Sequence, residues 1–134
     1  MEPEKHRYIA TYAHHDGRVG VLVEFLCRDT ILFESESFIK LARDITKHIA
    51  ACSPKFLFRA EATTENSEIR SNANNDDYLR KTCLLEQSFI VHPEKKVGDI
   101  IAACADELHT ELSIVRFVRW TTDGSQQCGG MVSG

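Results

Sequence analysis

Two runs of alternating apolar and polar residues lie near the start of the chain, and a short polar break separates them. The first run covers residues 8–14, and the second, which is rich in β-branched and aromatic residues, covers residues 19–25. The break contains Asp16-Gly17, a pair typical of tight hairpin turns because glycine adopts a positive φ without steric cost. The stretch 8–25 is therefore predicted to form an antiparallel β-hairpin whose turn has two to four residues.

Two longer segments have the period of an amphipathic helix. Apolar residues recur at intervals of three and four over residues 38–52 and again over residues 97–108. Ser35 or Ser37 can cap the first helix, and Ser53-Pro54 ends it because the residue before a proline avoids the α conformation. A shorter helix is predicted over residues 78–86, followed by an extended segment at 88–91. The two apolar stripes consist of Phe38, Leu41, Ala42, Ile45, Ile49 and Cys52, and of Val97, Ile100, Ile101, Cys104, Ala105 and Leu108.

A third strand is indicated near the end of the chain. Residues 114–121 alternate as a strand does, with apolar side chains on both faces and arginines between them. A strand of this kind belongs inside a sheet or beneath a partner. The predicted fold class is therefore α+β: a small antiparallel sheet contains the hairpin and residues 114–120, and the helices at 38–51 and 97–108 pack against one of its faces.

Two stretches give no signal for regular structure. Residues 60–77 are polar apart from Ile69, so they offer too little apolar surface to offset chain entropy and are predicted to form a mobile loop. Residues 125–134 are mostly small and are predicted to form a disordered tail. With 134 residues, 43% of them hydrophobic, the rest of the chain predicts a single domain over residues 1–124.

The composition narrows the class of protein. A formal net charge of −4 argues against direct nucleic-acid binding, since such domains usually carry a basic patch. The five cysteines are scattered and form no C-x-x-C pair, which predicts reduced thiols rather than disulfides or a metal site. No apolar run approaches the roughly 18 residues of a membrane span. The opening residues resemble neither a signal nor a transit peptide, so the chain is expected to stay where it is made or to have lost a targeting piece.

Few residues suggest chemistry. His14 and His15 adjoin Asp16, a combination able to serve acid–base catalysis or metal binding. Adjacent strand residues face opposite sides, however, which favours a polar role beside the turn. Cys27 precedes Arg28, and an electropositive neighbour can activate a thiol, but a half-buried core cysteine is the commoner case. The chain is therefore predicted not to be an enzyme and to use no cofactor or metal.

Four blocks of the sequence resemble, in the same order, motifs of the translation elongation factor Ts family. The first resembles the family's YxHHGGRIGVLVE run, the second its next helix, the third its LLEQPF, and the fourth its TVGDL and VRRFVR. The likeness extends from about Tyr8 to Trp120. In this chain the blocks read YAHHDGRVGVLVE at 12–24, FIKLARDI at 38–45, LLEQSFI at 84–90, and KVGDII at 96–101 with VRFVR at 115–119.

This resemblance implies a fold, a partner and a contact surface. The fold is that of the dimerisation domain of the exchange factor, and the partner is elongation factor Tu. The resemblance implies that His14 lies at the contact with elongation factor Tu and that Tyr12, Arg18 and Gly20 support it. Family members with one copy of this domain pair two chains, so a homodimer or a pair with a related subunit is expected.

Three departures from the family bear on activity. Where the family has Cys-Glu-Thr-Asp-Phe-Val, this chain has Thr30-Ile31 in place of the Asp-Phe wedge that the family inserts into elongation factor Tu. The family's N-terminal helical module is expected to be absent, and its long helical extension is reduced to the polar stretch at 60–77. These departures predict docking on elongation factor Tu, with Thr30 and Ile31 at the contact, and little nucleotide exchange.

The alternative is a non-catalytic structural or assembly subunit, for instance of an organellar ribosome, that retains the fold. Because the family occurs in bacteria and in organelles, the expected location is the bacterial cytoplasm or the matrix of a mitochondrion or plastid.

Overall fold

Four antiparallel strands form one sheet, and they lie in the order in which they occur along the chain. The computed structural model describes residues 5–65 and 75–130. The predicted hairpin is confirmed, and the third strand pairs with its second arm as predicted. The strands are β1 (His6–Ala13), β2 (Val19–Cys27), β3 (Leu112–Thr121) and β4 (Gln126–Gly130).

Strand β4 occupies residues for which the sequence predicted a disordered tail. Gln126–Gly130 instead pair with β3, while residues 131–134 lie outside the described part of the chain. The glycines in this segment suggested disorder, but they allow β4 to pack closely against neighbouring backbone. A Cβ at Gly129 would lie 2.6 Å from the backbone nitrogen of Leu57, and Gly130 adopts a φ of +116° against the backbone of Val115. Only glycine tolerates such a φ and so close an approach.

The first helix, α1, agrees best with its prediction from the sequence. Ser35 is the N-cap of α1, and its hydroxyl accepts a hydrogen bond from the backbone N–H of Phe38 at 3.4 Å. The helix ends where Ser53 adopts a left-handed φ of 47°, just before Pro54. No helix among the described residues is long and apolar enough to cross a membrane. The α-helices are α1 (Glu36–Cys52), α2 (Arg59–Glu65), α3 (Asn75–Thr82) and α4 (Val97–Glu107), and 3₁₀ helices cover Thr30–Glu34 and Leu84–Glu86.

The polar stretch predicted as a mobile loop is helical at both of its described ends. Residues 60–65 belong to α2 and residues 75–77 to α3, while residues 66–74 lie outside the described part. A small second core explains the difference, because α2 and α3 bury Ala62, Leu79 and Cys83 together. The Glu61 carboxylate adds a cap: it accepts the N–H groups of Leu57 and Phe58 at 3.0 Å.

The predictions for residues 78–86 and 88–91 are confirmed only in part. The helix predicted over residues 78–86 begins earlier and is interrupted, since α3 ends at Thr82 and residues 84–86 form a 3₁₀ helix. The segment predicted as extended at 88–91 turns back on itself. Within it, Ser88 forms an isolated bridge with Lys96, and the remainder bends.

The main core lies between the sheet and the helices α1 and α4, which share one face of the sheet as predicted. Phe25 and Val23 of β2 are completely buried there against Phe38 of α1. Arg119 of β3 extends to the carboxyl end of α1, where its Nε donates to the carbonyl oxygen of Ala50 at 3.1 Å. This is the end of a helix at which a cation is favoured. The remaining core positions include Ile45, Ile49, Val97, Ile101, Ile114 and Phe117.

No helix among residues 5–65 and 75–130 packs on the opposite face of the sheet, called here the outer face. Ile9, Leu22 and Trp120 are 55%, 42% and 56% exposed there. At its centre lies Glu24, which is largely buried because two arginines cover it: Arg116 Nε is 2.9 Å and Arg7 Nη1 is 3.2 Å from its Oε1. The outer face therefore combines exposed apolar side chains with a central ion cluster, in which one carboxylate and two guanidinium groups leave one positive charge.

His48 of α1 is completely buried in a hydrogen-bonded network. Its Nε2 donates to Gln87 Oε1 at 2.8 Å, and the amide group of Gln87 donates to the carbonyl oxygen of Lys81 at 2.8 Å. On the other side of the ring, Nδ1 accepts the backbone N–H of Ile90 at 3.3 Å. Because Nδ1 must accept, this network holds the neutral imidazole. Burial lowers the pKa of His48, and the hydrogen bond to Gln87 offsets part of that effect.

We expect this network to make the domain less stable in mild acid. The unfolded chain binds a proton at His48 as the pH falls through about 6.5, whereas the folded chain binds it only at lower pH. The free energy of unfolding should therefore fall by up to about 1.4 kcal/mol per pH unit below pH 6.5. Urea unfolding at pH 7.5 and 5.5 measures the difference. His48→Gln should flatten the decline and the exposed His92→Gln should preserve it; equal declines in both variants would contradict the prediction.

Candidate partner-binding surface

The turn of the hairpin is a closed and well-bonded structure. The N–H of His14 donates to the carbonyl oxygen of Val19 at 2.9 Å, so residues 15–18 form a four-residue turn, at the upper end of the expected range. Gly17 adopts a φ of 74°, as the sequence predicted, whereas Asp16 does not adopt a positive φ. The Asp16 carboxylate instead accepts the backbone N–H of Arg18 at 3.0 Å. The turn is thus held by its own hydrogen bonds rather than by packing.

The predicted contact residue His14 is half-buried at the end of β1 and is joined to two neighbours. Its Nδ1 lies 2.9 Å from the hydroxyl oxygen of Tyr12, and its Nε2 lies 3.9 Å from Asp16 Oδ2. The expectation that His14 and His15 face opposite sides is wrong, because their ring centroids are only 4.3 Å apart. His14 is the first residue after β1, so the alternation of a strand no longer applies to it.

Arg18 and Gly20 complete the predicted group around the turn. Arg18 is exposed, and its carbonyl oxygen accepts the N–H of Thr122, which ties this turn to the one between β3 and β4. Gly20 pairs with Ala13 on one side and Trp120 on the other. A Cβ at Gly20 would meet no described residue within 4 Å, so packing within the described part of the chain does not require a glycine there. The glycine leaves the sheet surface open beside Trp120.

Thr30 and Ile31 lie far from this group. They follow the other end of β2, where Cys27 pairs with His6, seven residue pairs from Ala13 and Gly20. At about 3.3 Å per residue, the two ends of the hairpin are roughly 23 Å apart. Thr30 is exposed at the start of its 3₁₀ helix, and the side chain of Ile31 lies outside the described part of the structure. The predicted contact residues therefore form two groups, one at each end of the hairpin.

The segment that carries Thr30 is firmly attached to the core. Leu32 is 2% exposed, and the ring of Phe33 packs against Tyr8 at a centroid distance of 5.3 Å and against Phe38 at 6.0 Å. The sequence pattern missed this 3₁₀ helix, although the apolar pair Leu32-Phe33 between polar residues was a usable signal. The attachment presents Thr30 to solvent on a rigid support.

An open cleft of about 440 Å³ lies beside this segment. Arg28 crosses it to reach Glu111 Oε1 at 3.1 Å, and Asp106 and His109 line its other side. The cleft is polar and shallow, and the Thr110 hydroxyl that lines it donates to the backbone carbonyl oxygen of Glu111. In the described ranges 5–65 and 75–130, no three His, Cys, Asp or Glu side chains are placed to hold a metal ion.

Four of the five cysteines have the environment of structural thiols, whereas Cys128 on β4 is exposed. Burial raises the pKa of Cys27, and Arg28, its electropositive neighbour in sequence, pairs with Glu111 instead. Burial also raises the pKa of Cys83 to about 11, and it raises the pKa values of Cys52 and Cys104. A thiol with a raised pKa is a poor nucleophile. The four buried or half-buried thiols are therefore structural.

Comparison with known proteins gives the family. The family model described as "Elongation factor TS" matches residues 1–76. The elongation factor Ts of Solibacter usitatus is 28% identical, over 91% of this chain and 68% of its own length. Those of Koribacter versatilis and Desulforamulus reducens are each 31% identical, over 84% of this chain and 61% of their own length. The sheet of β1–β3 with its two helices and the motif at the hairpin turn agree with these matches, and the chain belongs to the elongation factor Ts family.

Proposed function

We propose that this chain binds elongation factor Tu during translation elongation, that its contact surface is centred on the hairpin turn, and that it promotes nucleotide exchange only weakly. The observation that carries the proposal is the presentation of His14. The motif residue of the family stands at the free end of a rigid hairpin, half-exposed, with its ring hydrogen-bonded to Tyr12. A side chain held in its binding geometry loses little conformational freedom when a partner docks.

The surroundings of His14 suit a polar contact with a partner protein. His15, Asp16 and Arg18 are exposed around it and carry both signs of charge. Mixed polar groups at the rim of an interface guide orientation and on-rate, while a few central side chains supply most of the affinity. We therefore assign the central role to His14.

Weak exchange follows from the other end of the hairpin. A factor speeds nucleotide release only if it binds the nucleotide-free partner better than the nucleotide-bound one. The wedge implied for the family is replaced by Thr30-Ile31, so the chain lacks a carboxylate and an aromatic ring that would add to this preference. His14 lies roughly 23 Å away at the opposite end of the hairpin, so its own contact with the partner can form without these groups.

Removal of the His14 side chain tests the docking surface. His14→Ala should weaken binding to elongation factor Tu about tenfold, the size of effect expected for a central interface residue. Isothermal titration calorimetry with elongation factor Tu in its GDP-bound and nucleotide-free forms measures the affinity. His92→Ala, which removes an exposed histidine from the loop at 88–96, is the matched control and should bind like the native chain. Failure of the native chain to bind would refute the proposal. Equal affinity of the two variants would show that His14 is not central to the contact surface.

The alternative function is that of a structural or assembly subunit, and the replaced wedge is the observation that favours it. Affinity capture of the chain from its source cells separates the two possibilities. Elongation factor Tu in the captured material supports the exchange-factor role, whereas ribosomal proteins without it support the alternative. The compartment from which the partners come would also decide between bacterial cytoplasm and an organelle matrix.

We further propose that the outer face of the sheet pairs with the outer face of a second copy. Four strands spaced about 4.8 Å apart and about 25 Å long on average offer roughly 500 Å² per copy. A dimer would bury roughly 1,000 Å² in total, close to the lower limit for specific interfaces. Tryptophan is among the residue types enriched at interface hot spots, and Trp120 is 56% exposed on this face. The Glu24 carboxylate is not left unpaired, because Arg7 and Arg116 both contact it and leave one surplus positive charge.

Trp120→Arg should therefore shift the chain toward the monomer. The native chain is expected to sediment as a dimer at micromolar concentration, and a charge facing its own copy across the interface should raise the dissociation constant at least tenfold. Sedimentation velocity over a concentration series gives both values. Val91→Arg, at an exposed apolar residue of the loop at 88–96, is the control and should remain dimeric. A native chain that sediments only as a monomer would exclude this dimer.

A further inference from the structure

We infer that Tyr12 is a positioning residue: it fixes His14 as the neutral tautomer with the proton on Nε2, so that His14 offers an N–H donor to an oxygen acceptor on the partner. The contact with the partner rests on the proposed function. The tautomer depends only on this chain and is inferred from the contacts of the two ring nitrogens of His14.

The first contact lies on the Nδ1 side of the ring. The hydroxyl oxygen of Tyr12 is 2.9 Å from Nδ1 of His14, a normal hydrogen-bond length. A neutral imidazole has one N–H donor and one acceptor nitrogen, and the phenol hydroxyl can act as the donor. When Tyr12 donates to Nδ1, the ring proton must be on Nε2.

The second contact favours the same arrangement from the Nε2 side. Asp16 Oδ2 is 3.9 Å from Nε2, and a negative charge near a nitrogen stabilises a proton on that nitrogen. The distance is too long for a hydrogen bond. The other carboxylate oxygen of Asp16 already accepts the backbone N–H of Arg18. The carboxylate therefore favours the tautomer with its N–H on Nε2, and among the described residues no hydrogen-bond acceptor occupies that group.

Tyr12 is itself held by the sheet, which makes it suited to orient a neighbour. It lies in β1, pairs with Val21 of β2, and is half-buried against the main core. The His14 side chain is 39% exposed, so Nε2–H can reach a partner while Nδ1 is engaged. The atom that meets it on the partner is then a hydrogen-bond acceptor, such as a backbone carbonyl, a side-chain amide oxygen or a carboxylate. A lysine or arginine at that position would be rejected.

Nitrogen-15 NMR of the histidine rings tests the tautomer in the isolated chain. At pH 8 the native chain should show His14 with an unprotonated Nδ1 and a protonated Nε2. Tyr12→Phe should move the two nitrogen signals toward each other, since the tautomers then exchange. Tyr8→Phe removes a hydroxyl from the same face of β1 and should leave both signals unchanged. A proton on Nδ1 in the native chain, or an unchanged pattern in Tyr12→Phe, would overturn the inference.

Binding to elongation factor Tu tests the contact with the partner. Tyr12→Phe should weaken binding about two- to tenfold, the effect of losing one orienting hydrogen bond. If Tyr12 acts through His14, the same substitution should have no effect in a His14→Ala background. His14→Gln, which keeps a side-chain N–H donor, should bind more tightly than His14→Ala. Native affinity in Tyr12→Phe would refute this contact, whereas a native chain that does not bind refutes the proposed function and leaves the tautomer result standing.

Discussion

Phe38→Ala is expected to lower the free energy of unfolding by about 3–5 kcal/mol, the usual cost of removing a buried phenylalanine ring. Phe38 is completely buried, and its ring meets Tyr8 and Phe25 edge-on at centroid distances of 5.0 and 5.3 Å. Edge-to-face aromatic pairs add to the stabilisation from burial. The ring therefore joins α1 to both arms of the hairpin, and its loss would leave a cavity between them.

Urea unfolding followed by circular dichroism measures this effect. Since small domains are stable by only about 5–15 kcal/mol, the variant should lose a large share of the free energy of unfolding. Phe58→Ala is the matched control: its side chain is partly exposed, and its loss should cost less than about 1 kcal/mol. A loss below 2 kcal/mol for Phe38→Ala would mean that the core rearranges around the vacancy.

Thr30→Asp/Ile31→Phe is expected to accelerate GDP release from elongation factor Tu by about 5- to 150-fold relative to the native chain. The substitution restores the carboxylate and the aromatic ring of the wedge implied by the family. The added ring and methylene groups correspond to about 1–3 kcal/mol of preference for the nucleotide-free partner. The 3₁₀ helix Thr30–Glu34 is anchored by Leu32, so the new groups would be presented from a fixed support.

Stopped-flow fluorescence of labelled GDP measures the release rate. Ser88→Asp/Val91→Phe adds the same two groups to the loop at 88–96 and should leave the rate at its native value. Fast release by the native chain would refute the proposal of weak exchange. Docking without acceleration by the restored wedge would show that Thr30 and Ile31 do not contact the partner.

Elements with local signals could be predicted from the sequence. Alternation around Asp16-Gly17 identified the hairpin, and Ser35 with the following apolar stripe identified α1, because turns and caps depend on residues close together in the chain. Strand β4 could not be predicted in this way. Glycines are required in β4 because the backbones of Leu57 and β3 lie too close for a Cβ atom. That contact joins residues far apart in sequence, so no local pattern reveals it.

The candidate partner-binding residues could also be predicted only in part. The family motif indicated His14, but the proximity of His14 to His15 depends on where β1 ends, and strand ends are poorly determined by sequence. The burial of Glu24 was not predictable either, since it requires Arg116 from a strand 92 residues away. The separation of Thr30 from the hairpin turn follows from the register of β1 and β2, which the alternation alone leaves open.

The order of the strands has a consequence for the chain as it is synthesised. Strand β1, strand β2 and α1 can assemble as soon as they leave the ribosome, because they are neighbours in sequence. The β3 side of β2 then stays without its partner until residues 112–121 emerge. Through that interval an apolar strand with unsatisfied backbone groups is open to other nascent chains. A protein that belongs to a family of translation factors would therefore itself depend, during its own synthesis, on fast closure of β3 onto β2 or on a chaperone that protects this edge.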